Sequence, residues 1–299
     1  MVAMKHLQVD ILPESTSPAP VIVAALDGWT DAGTAGTTAA QTLRDAVDAE
    51  QIGAFPPDAL YDYRDRRPLL SIDRGELDVP QWPQLGVELL RPAAGPPLAL
   101  ITGGEPDFAW QAVGADLVEL AGQLGATRYI GLGSVPGPVP HTRPTQLVCT
   151  SDSEELRERM GRPHEQVVVP ASFQVVLETQ FRDAGLQTLG LWARVPHYVA
   201  GEYPAAARAL LERFSSFLGT PVDLTVLDED IAENRQRLDL AADGSEEVTE
   251  HIQQLEELHD AEQERTDAGD DGTPMPSGPL PSGDEIADEV ERFLRGKRQ

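Results

Sequence analysis

The sequence predicts an α/β protein: a largely parallel sheet covered by helices on both faces, followed by acidic helices. Three observations predict it. Short apolar runs rich in β-branched residues alternate with amphipathic stretches of about 12 to 18 residues, the pattern of strands joined by crossover helices. Polar, glycine- or proline-containing loops follow the apolar runs, where such sheets keep their ligand sites. Negative charge gathers in the last quarter, where residues 223–299 hold 23 acidic and 7 basic residues.

Taken in order, "PVIVAAL" (20–26) has the continuous apolar character of a strand buried on both faces. Gly36, Ala40, Leu43 and Val47 then fall at helical spacing, and "QIGAF" (51–55) reads as a second strand. Residues 59–91 form a proline-interrupted excursion that ends in a strand near 85–91. "PLALITGG" is a strand, and Trp110, Val113, Leu117, Leu120 and Leu124 make one face of the next helix. "RYIGLGSV" is a strand entering "PGPVPHTRP", whose prolines exclude helix. A short strand "TQLVCT", a charged helix at 152–160, a helix closed by Gly185, the strand "LQTLGLWARV" and a helix capped by Gly219 follow. The domain is expected to span residues 1–222.

Residues 223–265 predict an acidic helical hairpin, with Val248, Ile252, Leu255 and Leu258 as its apolar seam. Residues 266–283 have the Gly, Pro, Ser and Asp content of a flexible linker. Residues 284–299 predict a terminal amphipathic helix with Ile286, Val290, Phe293 and Leu294 on one side, a docking element.

Composition narrows the function. With 299 residues and a net charge of −27, the chain has no broad attraction for nucleic acid or anionic lipid. Cys149 is the only cysteine, so no intrachain disulfide and no cysteine metal cluster can form. The N-terminus lacks the apolar core of a signal peptide, and no apolar run approaches the roughly 20 residues of a membrane span. A cytoplasmic protein without metal or cofactor is expected.

The candidate site residues lie in four loops. "ALDGWTDAG" (25–33) is neither a G-x-G-x-x-G nor a Walker A loop, and Asp27 and Asp31 carry the wrong charge for holding phosphate. Asp31 or Thr34 is expected to cap the following helix, with Trp29 packed over the turn. Glu105 and Asp107 of "GGEPDF" would cap the next helix in the same way. A sharper reading brings Asp27, Asp31 and Glu105 together as crowded carboxylates, an acid/base pair or a cation site. His141 and Arg143 in the third loop, with His197 and Tyr198 in the fourth, suit acid/base work or anion recognition; they equally suit a locked loop or a subunit interface. Catalytic candidates are therefore Asp27, Asp31, Glu105, His141, Arg143 and His197. The ligand-binding candidates are Trp29, Asp31, Gly103, Gly104, Glu105, His141, Arg143 and Tyr198.

"VIVAALDGWTDAGTAGTTAAQTL", "ITGGEPDFAWQAVGADLVELA", "IGLGSVPGPVPHTRP" and "LWARVPHYV", in this order, resemble the bacterial and archaeal branch of the proteasome assembly chaperone 2 family over about residues 5–225. The acidic helical extension resembles the actinobacterial long form. The resemblance implies a three-layer αβα domain of phosphorylase/hydrolase-like type with a helical appendage, and a homo-oligomer, a trimer first. Eukaryotic relatives hold proteasome α subunits during ring assembly, so proteasome subunits are the implied partners. Some archaeal relatives dock through a C-terminal hydrophobic-Tyr-X tail, which "LRGKRQ" lacks. The family carries no agreed catalytic residues. An oligomeric, non-enzymatic, protein-binding protein is the expected function; a nucleosidase-like hydrolase using the loop carboxylates and histidines is the alternative.

Overall fold

A computed structural model describes residues 4–9, 18–160 and 168–267. The expected terminal helix at 284–299 lies outside the described residues, as does the expected linker beyond residue 267. In chain order the elements are β1 (Gln8–Val9), β2 (Val21–Asp27), α1 (Ala35–Asp45), β3 (Ala49–Phe55), β4 (Ile72–Asp73), β5 (Glu76–Leu77), β6 (Leu85–Leu90), β7 (Leu98–Gly104) and α2 (Trp110–Gln123). They continue as β8 (Arg128–Gly137), β9 (Leu147–Ser151), α3 (Glu154–Met160), α4 (Phe173–Asp183), β10 (Gln187–Pro196), α5 (Pro204–Leu218), α6 (Asp228–Asp243) and α7 (Glu246–Asp267).

Among the described residues, eight strands make one sheet in the order β1-β3-β6-β7-β2-β8-β10-β9, and β4 pairs with β5 in a second. The four strands β7, β2, β8 and β10 are parallel neighbours, while β6 and the edge strands β1 and β9 run the other way. The sheet is thus mixed, with most strands in one direction. β2 shows why the fold has three layers. Val21, Val23 and Ala25 enter the core beneath α1 and α5, while Ile22, Ala24 and Leu26 enter the core beneath α2 and α4. Alternate side chains of a strand point to opposite faces, so an unbroken apolar run must be roofed on both sides.

Helix α1 lies very close to the sheet. A Cβ on Gly36 would stand 2.6 Å from the Leu132 carbonyl oxygen, so glycine sets the helix-to-strand distance. Asp116, buried in α2, accepts the main-chain amides of Lys5, His6 and Leu7 at 3.1, 2.6 and 2.9 Å and thereby fixes the N-terminal segment beside β3.

The prolines at 56–97 concealed one feature. Residues 69–81 form a hairpin ribbon containing β4 and β5, which the irregular excursion did not suggest. The seam of α7 also differs from expectation. Ile252, Leu255 and His259 are buried, whereas Leu258 is 43 % exposed, because a hairpin packing at i, i+3 and i+7 from Ile252 selects residue 259. Helix α7 reaches Asp267, past the expected start of the linker.

Removing the Asp116 carboxylate leaves three amides without it, two of them part-buried. Asp116→Ala is expected to cost about 2 kcal/mol in urea unfolding, with faster amide exchange at residues 5–7.

Candidate functional site

β2 and β7 are neighbours, but β2 leads into α1 on one face of the sheet and β7 into α2 on the other. Such a divergence opens a crevice at the carboxyl ends of the strands, the usual ligand position in this kind of sheet. Asp27, Asp31 and Glu105 stand around it. Each is engaged. Asp31 Oδ1 accepts the Gly36 and Thr37 amides at 2.7 and 3.3 Å, and its Oδ2 accepts the Thr37 hydroxyl at 2.7 Å. Asp31 is therefore the side chain that caps α1; Thr34, in the left-handed region at φ 50°, makes no side-chain cap.

Glu105 does something the sequence did not suggest. Its Oε2 accepts the Trp29 amide at 2.9 Å and its Oε1 accepts the Phe173 amide, the first of α4. Ser172 accepts the Val175 amide and bonds to the Thr30 hydroxyl, so two N-terminal amides of α4 are satisfied. Glu105 thus holds the β2 loop to the start of α4 and does not cap α2. Asp107 accepts the Asp62 amide at 2.7 Å, and α2 has no side-chain cap. The expected packing of Trp29 over its turn is also corrected: the side chain is 65 % exposed, since its anchor is the backbone amide.

The excursion that follows β3 reaches the ends of β2 and β7. Arg66 pairs with Asp27 at 3.1 Å, and a Cβ on Gly104 would lie 2.0 Å from the Arg66 guanidinium. Tyr61 donates to the Gly104 carbonyl at 2.8 Å. Gly103 has φ +126°, and a Cβ there would stand 1.9 Å from the Gln84 carbonyl oxygen, which accepts the Gly104 amide at 2.9 Å. The two glycines are needed by neighbouring protein, and Arg66, Tyr61 and Gln84 are the functional neighbours that proline-rich sequence hid.

The remaining candidates gather at the ends of β8 and β10, under α6 and α7. His141 is buried; its Nδ1 lies 2.8 Å from the Tyr198 hydroxyl and its Nε2 3.1 Å from Asp239 Oδ1. The Tyr198 oxygen also accepts the His141 amide at 2.8 Å, so its own proton is directed to Nδ1 and the neutral imidazole donates from Nε2. Arg143 binds Asp260 through two nitrogens at 2.8 Å and Glu256 at 3.2 Å. His197 Nδ1 approaches the Gly137 carbonyl at 3.3 Å, and its Nε2 approaches His251 Nε2 at 3.3 Å. An open cleft of about 390 Å³ lies between His141 and the hairpin, bordered by Asp239, Ile252 and Glu256. Glu256 and Asp260 sit one helical turn apart, a spacing visible in the sequence but without an assigned partner there.

Charge states follow burial. Asp31 is pushed above the usual carboxylate range chiefly by burial, partly countered by Thr37 and Gly36, with the charge of Asp27 a minor contribution. Burial likewise lowers His141, against the pull of Asp239, and pushes Tyr198 up to about 12. Among the described residues no group of three or more His, Cys, Asp or Glu is placed to hold a metal, and no helix is long and apolar enough to cross a membrane.

Two outcomes are expected. Asp31→Ala should cost about 1–2 kcal/mol through the lost cap. Because the folded pKa of Asp31 lies above its unfolded value, its contribution is full below about pH 4 and declines as pH rises through the folded pKa; Asp31→Asn should therefore gain stability relative to wild type from pH 4 to 7 in urea titrations. His141 has the opposite sign. Its lowered pKa gives stability above about pH 6.5 that is lost on acidification, so the protection factors of α6 and α7 amides should be smaller at pH 5.5 than at pH 7, and His141→Gln should reduce that difference.

The pattern of the PAC2 family matches residues 25–242, which includes the four loops and nearly all of α6. The chain is 35 % identical to the Mycobacterium tuberculosis protein Rv2714, described as of unknown function, with 87 % of this chain and 92 % of that one covered at a TM-score of 0.81. A PAC2 family protein from Streptomyces avermitilis shares 30 % identity over 78 % and 99 % of the two chains, with a TM-score of 0.69. The Mycobacterium tuberculosis proteasome-assembly chaperone homologue Rv2125 shares 29 %, over 78 % and 99 %, with a TM-score of 0.71. Comparison with curated proteins gives no match. On the span of the match and the identity to these structures, the chain belongs to the PAC2 family.

Proposed function

We propose that this chain is a non-enzymatic, self-associating protein of the cytoplasm that binds other proteins in the manner of proteasome assembly chaperones, with proteasome subunits as its partners. The observation that carries the proposal is the state of the crevice. Its carboxylates hold backbone amides and an arginine, and its space is taken by Arg66, Tyr61 and the Gln84 carbonyl. A hydrolase needs a general base within reach of substrate. Asp27, Asp31, Glu105, His141, Arg143 and His197 all have protein partners, which favours binding over the nucleosidase-like alternative. Family membership and the relative described as a proteasome-assembly chaperone homologue supply the partner class.

Affinity capture with the full chain from a proteasome-containing actinobacterial host is expected to enrich proteasome α subunits or partly assembled rings. Repeated capture without any proteasome subunit would overturn the partner. Release of free base from a panel of purine and pyrimidine nucleosides by the purified chain would replace the binding reading with the hydrolase.

A further inference from the structure

Helix α4 covers β8 and β10, and the layer between helix and sheet carries polar side chains. Gly131 and Gly133 of β8 and Gly190 of β10 share the face turned to α4 and leave room for what the helix sends down. A Cβ on Gly133 would stand 3.0 Å from the Gln174 amide nitrogen, and one on Gly190 would stand 2.6 Å from Glu178 Oε2. Gln174 and Glu178 lie one helical turn apart and are 2 and 8 % exposed. Their partners do not match their burial. Neither Nε2 nor Oε1 of Gln174 has a hydrogen-bond partner among the described residues. Glu178 is held through one oxygen: Oε2 accepts the Thr150 hydroxyl at 2.7 Å, and that hydroxyl accepts from Trp192 Nε1 at 3.0 Å.

Glu178 opens onto a cavity of about 240 Å³ between α4 and the edge strand β9. Val175 gives it an apolar wall, Thr150, Thr179 and Thr188 contribute hydroxyls, and Asp152 and Arg182 lie at its exposed mouth. Asp152 Oδ1 accepts the Thr188 amide and hydroxyl at 3.1 and 3.2 Å. Arg182 turns Nε and one terminal nitrogen to Asp183 at 3.0 and 2.8 Å. The cavity thus has two carboxylates and, among the described residues, no cation bonded to either. Burial raises the pKa of Glu178, opposed by Thr150 and Arg182 and assisted by Asp152. A carboxylate in such a place is costly until a positive group reaches it.

We propose that this cavity binds a small alkyl primary amine, its ammonium group seated on Glu178 Oε1. The site is separate from the β2–β7 crevice and independent of the protein partners proposed above. An alkylammonium carries three donors, for which Glu178, Asp152 and the threonine hydroxyls supply acceptors, while its methylene chain meets Val175. Size limits the guest: the cavity equals roughly eight water volumes, room for a few carbons and less than a drug-sized ligand takes. A hard metal ion fits less well, because it takes about six or more oxygen ligands and only two carboxylates stand here.

The test is calorimetric titration of the full chain with putrescine and with butane-1,4-diol, which has the same carbon chain without charge. The solution holds about 0.15 M salt, where attraction between distant exposed charges is screened. Putrescine is expected to bind saturably at one site per chain, and the diol not at all. Glu178→Gln keeps the shape and an acceptor for Thr150, and should weaken putrescine roughly 10- to 100-fold. Asp183→Asn, an equal loss of charge outside the cavity, should leave binding unchanged. If circular dichroism shows that Glu178→Gln does not fold, Val175→Phe, which fills the cavity, should abolish binding instead. The proposal is overturned by absence of putrescine binding, by equal binding of the diol, or by attachment that the folded cavity variants leave unaltered. Mg²⁺ taking a single site from which it excludes putrescine would also overturn it.

Discussion

Helices that begin at the carboxyl end of a sheet present main-chain amides with no partner inside the helix, and those amides must be satisfied by something at the loops. In this protein two carboxylates do it. Asp31 satisfies α1, and Glu105 joins the β2 loop to the first amide of α4. The β2 loop and the starts of α1 and α4 are held by these two side chains. Both carboxylates are committed to main-chain amides, so the interaction that builds this end of the fold also occupies their oxygens.

The crevice shows the same economy at the level of the chain. An αβα sheet offers a ligand site wherever neighbouring strands send their helices to opposite faces. Here the insertion between β3 and β6 occupies that place with its own arginine, tyrosine and backbone. The insertion then continues outward as the ribbon. Its root is fixed at the crevice, and Ile72, Leu77 and Val79 of the ribbon stand exposed beyond it.

On the other side of the same end, the acidic helices are tied to the sheet by a different kind of contact. Arg143 meets Glu256 and Asp260, and His141 meets Asp239, in a chain with few basic residues to spare. Such exposed pairs contribute modestly one by one. Their value lies in register: the fork of Arg143 donates to two carboxylates one helical turn apart, and buried His141 admits its partners only in one tautomer. Leu227 is buried in the core beneath α1 and α5, and Ile231 and Leu238 of α6 pack against that core, which provides the apolar part of the docking.

Strands and helices were legible because alternation and helical spacing are local properties, and β2, α2 and α5 needed nothing beyond their own residues. The cap role of Asp31 was legible for the same reason, since it acts on amides five and six residues ahead. Glu105 acts on Trp29 and Phe173, 76 and 68 residues away, and its role could not be read locally. Trp29 was misplaced because its anchor is a backbone amide, and Leu258 because one residue of helical phase decides between seam and solvent. The sequence by itself determined an α/β sheet roofed on both faces, an acidic helical extension and the loops that carry the polar groups. Only the tertiary structure decided which polar groups meet, that Arg66 closes the crevice and that a ribbon stands beside it, because those outcomes depend on contacts between residues far apart in the chain, and pairing between distant segments leaves no period in the sequence.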